Sequence, residues 1–120
     1  MAGNSAPSPV DRHSAEHYAW GEACDGWHLL KGDDLSVIEE VVPPGAGEVS
    51  HFHGKARQFF YVLEGQATLE FAESTVSFAA GEGVHVPPGV GHRFCNRSSA
   101  PVRFLVVSSP AAQSDRTDTA

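Results

Sequence analysis

The chain has 120 residues, of which 41% are hydrophobic and 19% charged, so it can form one packed domain and is not compositionally disordered. Fifteen acidic residues against eight Lys and Arg give a formal net charge of −7, and this acidic balance argues against a nucleic-acid partner. No apolar stretch approaches the roughly 20 residues of a membrane span. Cys24 and Cys95 form no CxxC motif. We therefore expect a cytoplasmic domain with reduced thiols and no membrane partner.

Both ends of the chain are poor in large apolar residues. Residues 1–20 are mostly small and polar, apart from Tyr18 and Trp20, and they predict a flexible N-terminal arm. Residues 110–120 predict a flexible C-terminal tail. The predicted domain comprises residues 21–109 between them.

Within the predicted domain, short β-rich segments alternate with turns rich in Gly and Pro. Glu64–Gly65 is a typical hairpin turn between two of them. Eight such segments without sustained helical periodicity predict an all-β sandwich or barrel. The segments are 33–42, 50–53, 58–63, 66–71, 75–78, 84–86, 92–95 and 102–107.

Four polar side chains on these segments are candidate metal ligands. His51 and His53 stand two apart in a strand-like segment, so both imidazoles project to one face. If Gln58 and His92 line the same barrel, the four side chains meet in an apolar interior, where a divalent ion would satisfy several of them together. Imidazole nitrogen suits Ni, Fe, Mn, Co, Cu or Zn, and the pattern does not choose among them. An isolated His-x-His pair, by contrast, is more often a surface or hydrogen-bonded pair.

The first histidine pair belongs to a longer motif. It reads Gly45, five residues, His51-x-His53, four residues, Gln58, six residues, Gly65. This resembles the first motif of the cupin superfamily, with Gln58 at the position of the family's usual glutamate.

A second motif surrounds the third histidine. It reads Gly81, five residues, Pro87-x-Gly89, two residues, His92, three residues, Asn96. This resembles the second cupin motif at every position. We expect Asn96 to brace the following loop by hydrogen bonds.

The resemblance to cupins covers about residues 26–108. It implies a jelly-roll barrel of the RmlC-like, double-stranded β-helix type that holds one divalent transition metal ion. It also implies that His51, His53 and His92 are ligands, with Gln58 in the glutamate position. A homodimer is the assembly expected from the resemblance.

The glutamine favours Lewis-acid chemistry. Four neutral ligands leave the full charge of a divalent ion in place, whereas a glutamate would offset one unit of it. An amide also cannot accept a proton, as the family's glutamate is thought to do in several oxygenases. We therefore expect a small-molecule isomerase, tautomerase, cyclase or lyase that acts on a carbonyl or enol substrate. A dioxygenase that uses the same metal site and a non-catalytic metabolite- or sugar-binding cupin are the alternatives.

The ligand set is similar to that of the uronate-ketonising pectin-degradation cupins. That family has an acid two residues before an aromatic on the last strand, followed by Ser-Pro-Pro-Arg. Here residues 103–110 read RFLVVSSP, without that acid. The metal set therefore carries over, but the reaction does not.

Five further residues are candidates for the substrate site. Phe60, Phe94 and Phe104 are candidates for the apolar wall of a pocket, although aromatics at strand spacing are more often plain core. Glu39 is the candidate general base, with a solvated strand face as the alternative. Arg103 is a candidate cation for orienting an anionic substrate.

Overall fold

The computed structural model describes residues 6–112 and 115–119, and these residues form eleven strands and no helix. In chain order the strands are β1 Glu16–Trp20, β2 Cys24–Lys31, β3 Ser36–Val42, β4 His51–His53, β5 Arg57–Glu64, β6 Gln66–Glu70, β7 Thr75–Ala79, β8 Gly83–Val86, β9 Arg93–Cys95, β10 Val102–Ser109 and β11 Arg116–Asp118.

The strands form three antiparallel sheets. The largest has the order β1-β2-β3-β10-β5-β8, the second β7-β6-β9, and β11 pairs with β4. Side chains from the two larger sheets meet in one apolar core. The neighbours β3-β10-β5-β8 are not consecutive in sequence, so the chain crosses between sheets as in a jelly roll. The predicted all-β class and barrel type are confirmed.

Period-two alternation on β5 places one face in the core. Gln58, Phe60 and Val62 are buried, whereas Phe59 and Tyr61 on the opposite face are exposed. The inward face of β5 therefore carries a candidate ligand and the apolar residues beneath it on the same strand.

The predicted hairpin turn joins β5 to β6. Gly65 has φ +93°, a conformation that favours glycine, and a Cβ there would lie 2.6 Å from the Pro101 carbonyl oxygen. The tight turn and the close approach of a neighbouring loop both require glycine at this position.

Both ends of the chain differ from the sequence prediction, since each contributes a strand. In β1, Tyr18 pairs with Gly26, and Trp20 packs against the core. In β11, Arg116 pairs with His53 of β4. The three residues of β11 are polar and exposed, so backbone pairing rather than apolar burial forms this strand, and hydropathy gave no signal for it.

Asn96 braces the loop before β10, as its motif position predicts. Its Nδ2 donates to the carbonyl oxygens of Val42, at 2.9 Å, and Ala100, at 2.8 Å. Its Oδ1 accepts from the backbone N–H and the hydroxyl of Ser98, at 2.9 and 2.7 Å. The residue is 1% exposed, so these bonds are made away from water.

We predict that Asn96→Ala lowers the free energy of unfolding by about 3 kcal/mol, because it removes four hydrogen bonds made by one buried side chain. The Ala100 carbonyl keeps the Ser98 hydroxyl as a donor at 2.9 Å, whereas the Val42 carbonyl loses its side-chain donor. Urea denaturation measures the change. Ser98→Ala is the matched control, since Asn96 still serves both carbonyls in that variant, and we expect it to cost about 1 kcal/mol or less. Equal losses in the two variants would contradict this interpretation of the loop.

Candidate metal centre and its cavity

Backbone pairing brings two of the candidate ligands side by side. The N–H of His51 donates to the carbonyl oxygen of His92 at 3.0 Å, and the N–H of His92 donates to that of His51 at 2.8 Å. Directly paired residues of an antiparallel bridge project their side chains to the same face. The two ring centroids accordingly lie 4.5 Å apart.

Each of these rings is oriented by a backbone carbonyl two residues earlier. Nδ1 of His51 lies 2.7 Å from the Val49 oxygen, and Nδ1 of His92 lies 2.9 Å from the Val90 oxygen. A carbonyl only accepts, so each Nδ1 carries the proton and each Nε2 keeps its lone pair. Both imidazoles are thereby held in the tautomer that binds a metal through Nε2.

His53 completes a cluster of three buried histidines. It lies on the same face of β4 as His51, with ring centroids 4.9 Å apart. One ligand atom from each of His51, His53 and His92 lies within 4.8 Å of the others. The three histidines are therefore close enough to hold one metal ion.

Gln58 lies in the same cavity as the histidine pair of β4. Its Nε2 donates to the Ser108 hydroxyl at 3.1 Å, an arrangement that fixes the amide and leaves Oε1 as the free end. Ser108 and Gln58 are cross-strand partners on β10 and β5. The amide oxygen is therefore available as a fourth ligand.

A divalent ion fits the donor atoms of the histidine cluster and Gln58. Among the described residues, His92 Nε2, His53 Nδ1 and Gln58 Oε1 are buried without a hydrogen-bond partner. Each such group costs about 1–3 kcal/mol unless something binds it. Burial lowers the pKa of all three histidines, that of His51 to about 4, so the imidazoles are neutral ligands at neutral pH.

The candidate metal centre opens into a cavity of about 230 Å³. Apolar side chains from β3, β5, β10 and the C-terminal segment form part of its wall: Ile38, Phe60, Val106 and Ala112. The other lining residues are polar or charged: Ser36, Glu40, Glu48, His51, His53, Gln58, Ser108 and Arg116. This mixture suits a small oxygenated ligand.

Two carboxyl groups in the cavity have raised pKa values. Burial raises the pKa of Glu40 to about 7, while the Tyr18 hydroxyl that donates to it at 2.6 Å acts in the opposite direction. Burial and the nearby Glu40 charge raise the pKa of Glu48 to about 8, although the Phe94 N–H donates to this carboxyl at 3.0 Å. Groups that titrate near neutral pH can exchange protons with a substrate.

The cavity also contains one arginine that sequence reasoning placed in a flexible tail. Arg116 of β11 lines the cavity, with its Nε 2.8 Å from Asp118 and its Nη2 3.3 Å from the Val49 carbonyl oxygen. Its charge lowers the pKa of both Glu40 and Glu48. No apolar pattern around Arg116 indicates a strand, so the sequence offered no signal for it.

A comparison with known families identifies the fold and its motifs. The family described as the cupin domain matches residues 38–108, which contain all four candidate ligands. This chain is a cupin.

Individual relatives of this cupin come from Streptomyces. The polyketide synthase CurC of Streptomyces cyaneus is 29% identical over 72 residues, which cover 60% of this chain and 47% of CurC. The match thus spans about half the length of that relative. An uncharacterised protein of Streptomyces coelicolor is 33% identical over 90 residues, covering 73% of this chain and 84% of that protein.

Among solved structures, the polyketide cyclase RemF from Streptomyces resistomycificus has the same fold. It superposes with a TM-score of 0.82 over 96% of this chain and 87% of RemF, at 22% identity.

In the part of the chain that the structure describes, no helix is long and apolar enough to cross a membrane.

The candidate catalytic pair Glu39 and Arg103 lies outside the cavity of this cupin. An ion pair of 3.3 Å joins the two, and a second one of 3.3 Å joins Glu39 to Arg12. Successive residues of a strand point to opposite faces, so Glu40 lines the cavity and Glu39 does not. The structure thus places the carboxyl of the next residue along β3, rather than that of Glu39, in the cavity.

The three candidate wall aromatics have different surroundings. Phe60 lines the cavity and contacts the His92 ring edge-on at 5.8 Å. Phe94 and Phe104 stack on each other at 3.9 Å in the core and are not among the cavity-lining residues. Phe60 therefore belongs to the wall, while the other two support it from below.

The raised pKa of Glu48 predicts a pH-dependent stability in the metal-free protein. Between its ordinary value of 4.5 and about 8, the folded state binds a proton that the unfolded state has lost, so stability falls as pH rises through this range. Glu48→Gln replaces the titrating carboxyl by a neutral amide, whose oxygen can still accept the hydrogen bond from the Phe94 N–H. We expect the free energy of unfolding of this variant, relative to that of wild type, to rise by about 1–2 kcal/mol between about pH 5 and pH 8.5. This figure allows for the partial exposure of the Glu48 side chain.

Urea denaturation at the two pH values measures the gain. Glu73→Gln, which alters an exposed carboxyl, controls for the change in net charge. A Glu48→Gln advantage of the same size at both pH values would contradict the assignment of a carboxyl that stays protonated in the folded protein up to about pH 8.

Proposed function

We propose that this cupin is a divalent-metal-dependent cyclase that acts on a chain of alternating ketone and methylene groups. The observation that carries the proposal is a cluster of three neutral histidines, two of which line the same cavity as two carboxyls of raised pKa. Similarity to the polyketide synthase CurC and the polyketide cyclase RemF supports this substrate class.

The substrate class matches the chemistry of the site. A methylene between two ketones is acidic, and its carbanion can attack a ketone further along the same chain to form a six-membered ring. A divalent ion held by His51, His53, His92 and Gln58 would supply Lewis acidity toward a ketone oxygen. The cavity of about 230 Å³ has room for the reacting segment, and longer chains would extend through its mouth.

Glu40 and Glu48 divide the proton transfers in this proposal. Glu40, with the lower pKa, takes a proton from the methylene carbon as general base. A carbon–carbon bond then forms between that carbon and the attacked ketone carbon. Glu48, with the higher pKa, donates a proton to the new alkoxide oxygen. Loss of one water from the ring alcohol completes the condensation.

Other cavity residues stabilise and orient the reacting chain. Arg116 supplies a fixed positive charge beside the carboxyls, which offsets the negative charge that develops on enolate oxygen. The Ser36 hydroxyl is buried without a partner among the described residues and can donate to a substrate oxygen. Phe60 gives the chain an apolar surface to lie on.

The experiment follows cyclisation of a linear tetraketone by the metal-loaded protein, with methylene exchange in D₂O as a second readout. We predict that Glu40→Gln lowers the rate by about 100-fold or more, because it removes the general base. Glu39→Gln is the matched control, since it changes the adjacent acid on the outer face of β3 and should retain most of the rate.

Equal rates in the Glu40→Gln and Glu39→Gln proteins would contradict the proposal. Oxygen consumption by the metal-loaded protein without cyclisation would instead support the dioxygenase alternative. Tight binding of the tetraketone with no turnover and no exchange would support the non-catalytic binder.

A further inference from the structure

One row of residues runs across the first three strands and ends at the proposed base. Tyr18 of β1 pairs with Gly26 of β2, and Gly26 pairs with Glu40 of β3. The side chain of Tyr18 spans this row, and its hydroxyl donates to Oε2 of Glu40 at 2.6 Å. A residue from the segment predicted as a flexible arm thus contacts a carboxyl in the cavity.

The middle residue of the row has to be glycine for this contact to form. A Cβ at Gly26 would lie 2.2 Å from Cζ and 2.5 Å from the hydroxyl oxygen of Tyr18. The ring therefore occupies the space that any other residue's side chain would need. The His28 ring, with its centroid 4.9 Å from that of Tyr18, supports it along β2.

The groups that face Glu40 come from several elements. Tyr18 of β1 donates to its carboxylate, and the charge of Arg116 on β11 lowers its pKa. The charge of Glu40 in turn raises the pKa of the Glu48 carboxyl and of the Cys24 thiol on β2. Among the described residues, Tyr18 is the one group that hydrogen-bonds the Glu40 side chain. Burial and the carboxylates nearby raise the pKa of Tyr18, so its hydroxyl stays protonated and can only donate to an ionised Glu40.

We propose that Tyr18 is a positioning residue that anchors one oxygen of Glu40 and leaves the other oxygen free to take the substrate proton. The inference rests on the proposed function, because it assigns Glu40 as the base. The hydrogen bond favours the ionised carboxylate and fixes its rotamer. The N-terminal strand therefore belongs to the active site through its contact with Glu40.

The test is the titration of Glu40 itself in metal-free protein, monitored by carboxyl ¹³C NMR. The Glu40 signal is assigned as the one that is missing from the Glu40→Gln protein. We predict that Tyr18→Phe raises the pKa of Glu40 by about one unit, because it removes the donor and keeps the ring. The rising limb of the pH–rate profile for tetraketone cyclisation should move upward by the same amount. An unchanged Glu40 titration in a folded Tyr18→Phe protein would overturn the proposal.

Two glycine variants separate positioning from general destabilisation. Gly26→Ala forces the Tyr18 ring away and should reproduce the shift while the hydroxyl is still present. Gly83→Ala creates the same kind of collision in the same sheet, since a Cβ there would lie 2.3 Å from Cζ of Phe59, an exposed residue on the outward face. We expect Gly83→Ala to leave the Glu40 titration unchanged, and an equal shift in both glycine variants would overturn the proposal.

The NMR readout also separates this inference from the proposed function. If wild type fails to cyclise the tetraketone while Tyr18→Phe and Gly26→Ala still shift the titration, the cyclase proposal fails and the Tyr18–Glu40 coupling stands. If cyclisation occurs with a pH profile that none of the variants moves, the cyclase proposal stands and the coupling fails.

Discussion

The reciprocal hydrogen bonds between the backbones of His51 and His92 join β4 to the turn that precedes β9, and the arrangement of the candidate metal ligands depends on them. They place two imidazoles on one face, and the carbonyls of Val49 and Val90 then fix the tautomer of each ring. Because the constraint comes from the main chain, the ligand geometry does not require a rigid network of side chains. Gln58, by contrast, is held by a side-chain hydrogen bond, from its Nε2 to the hydroxyl of its cross-strand partner Ser108.

The neutral ligand set and the acidic cavity complement one another. Burial lowers the pKa of the three histidines and raises the pKa values of Glu40 and Glu48, so desolvation acts against charge on both sets of groups. A glutamine in place of the usual glutamate adds no further negative charge. The cavity thus combines a centre suited to a divalent cation with carboxyls that can exchange protons near neutral pH.

Sequence reasoning identified the candidate ligands because their signals are local. His51 and His53 follow from strand alternation, while His92 and Gln58 follow from the spacing of two motifs. It named Glu39 rather than Glu40 as the candidate general base, with a solvated strand face as the alternative. A shift of one residue moves a strand's side chains to the other face, and the apolar neighbours of these acids do not show which face each acid occupies. The pairing of β3 with β2 and β10 decides which face of β3 each acid occupies.

The two terminal strands could not be predicted for a different reason. β11 consists of polar residues, and its pairing with β4 depends on a long-range backbone contact that hydropathy does not encode. The sequence predicts a flexible arm where β1 lies, because Tyr18 and Trp20 are the two large apolar residues that interrupt an otherwise small and polar stretch over residues 1–20. The function of Tyr18 becomes visible only when Gly26 and Glu40 are seen in the same row.

The central claim is that His51, His53, His92 and Gln58 bind a single divalent ion. X-ray absorption spectroscopy of protein loaded with one equivalent of Ni²⁺ or Zn²⁺ tests it most directly. The account predicts multiple scattering from three imidazoles and an oxygen shell, at about 2.0–2.2 Å, with the imidazole count falling to two in His92→Ala. A spectrum without imidazole scattering, or one that His92→Ala leaves unchanged, would contradict it.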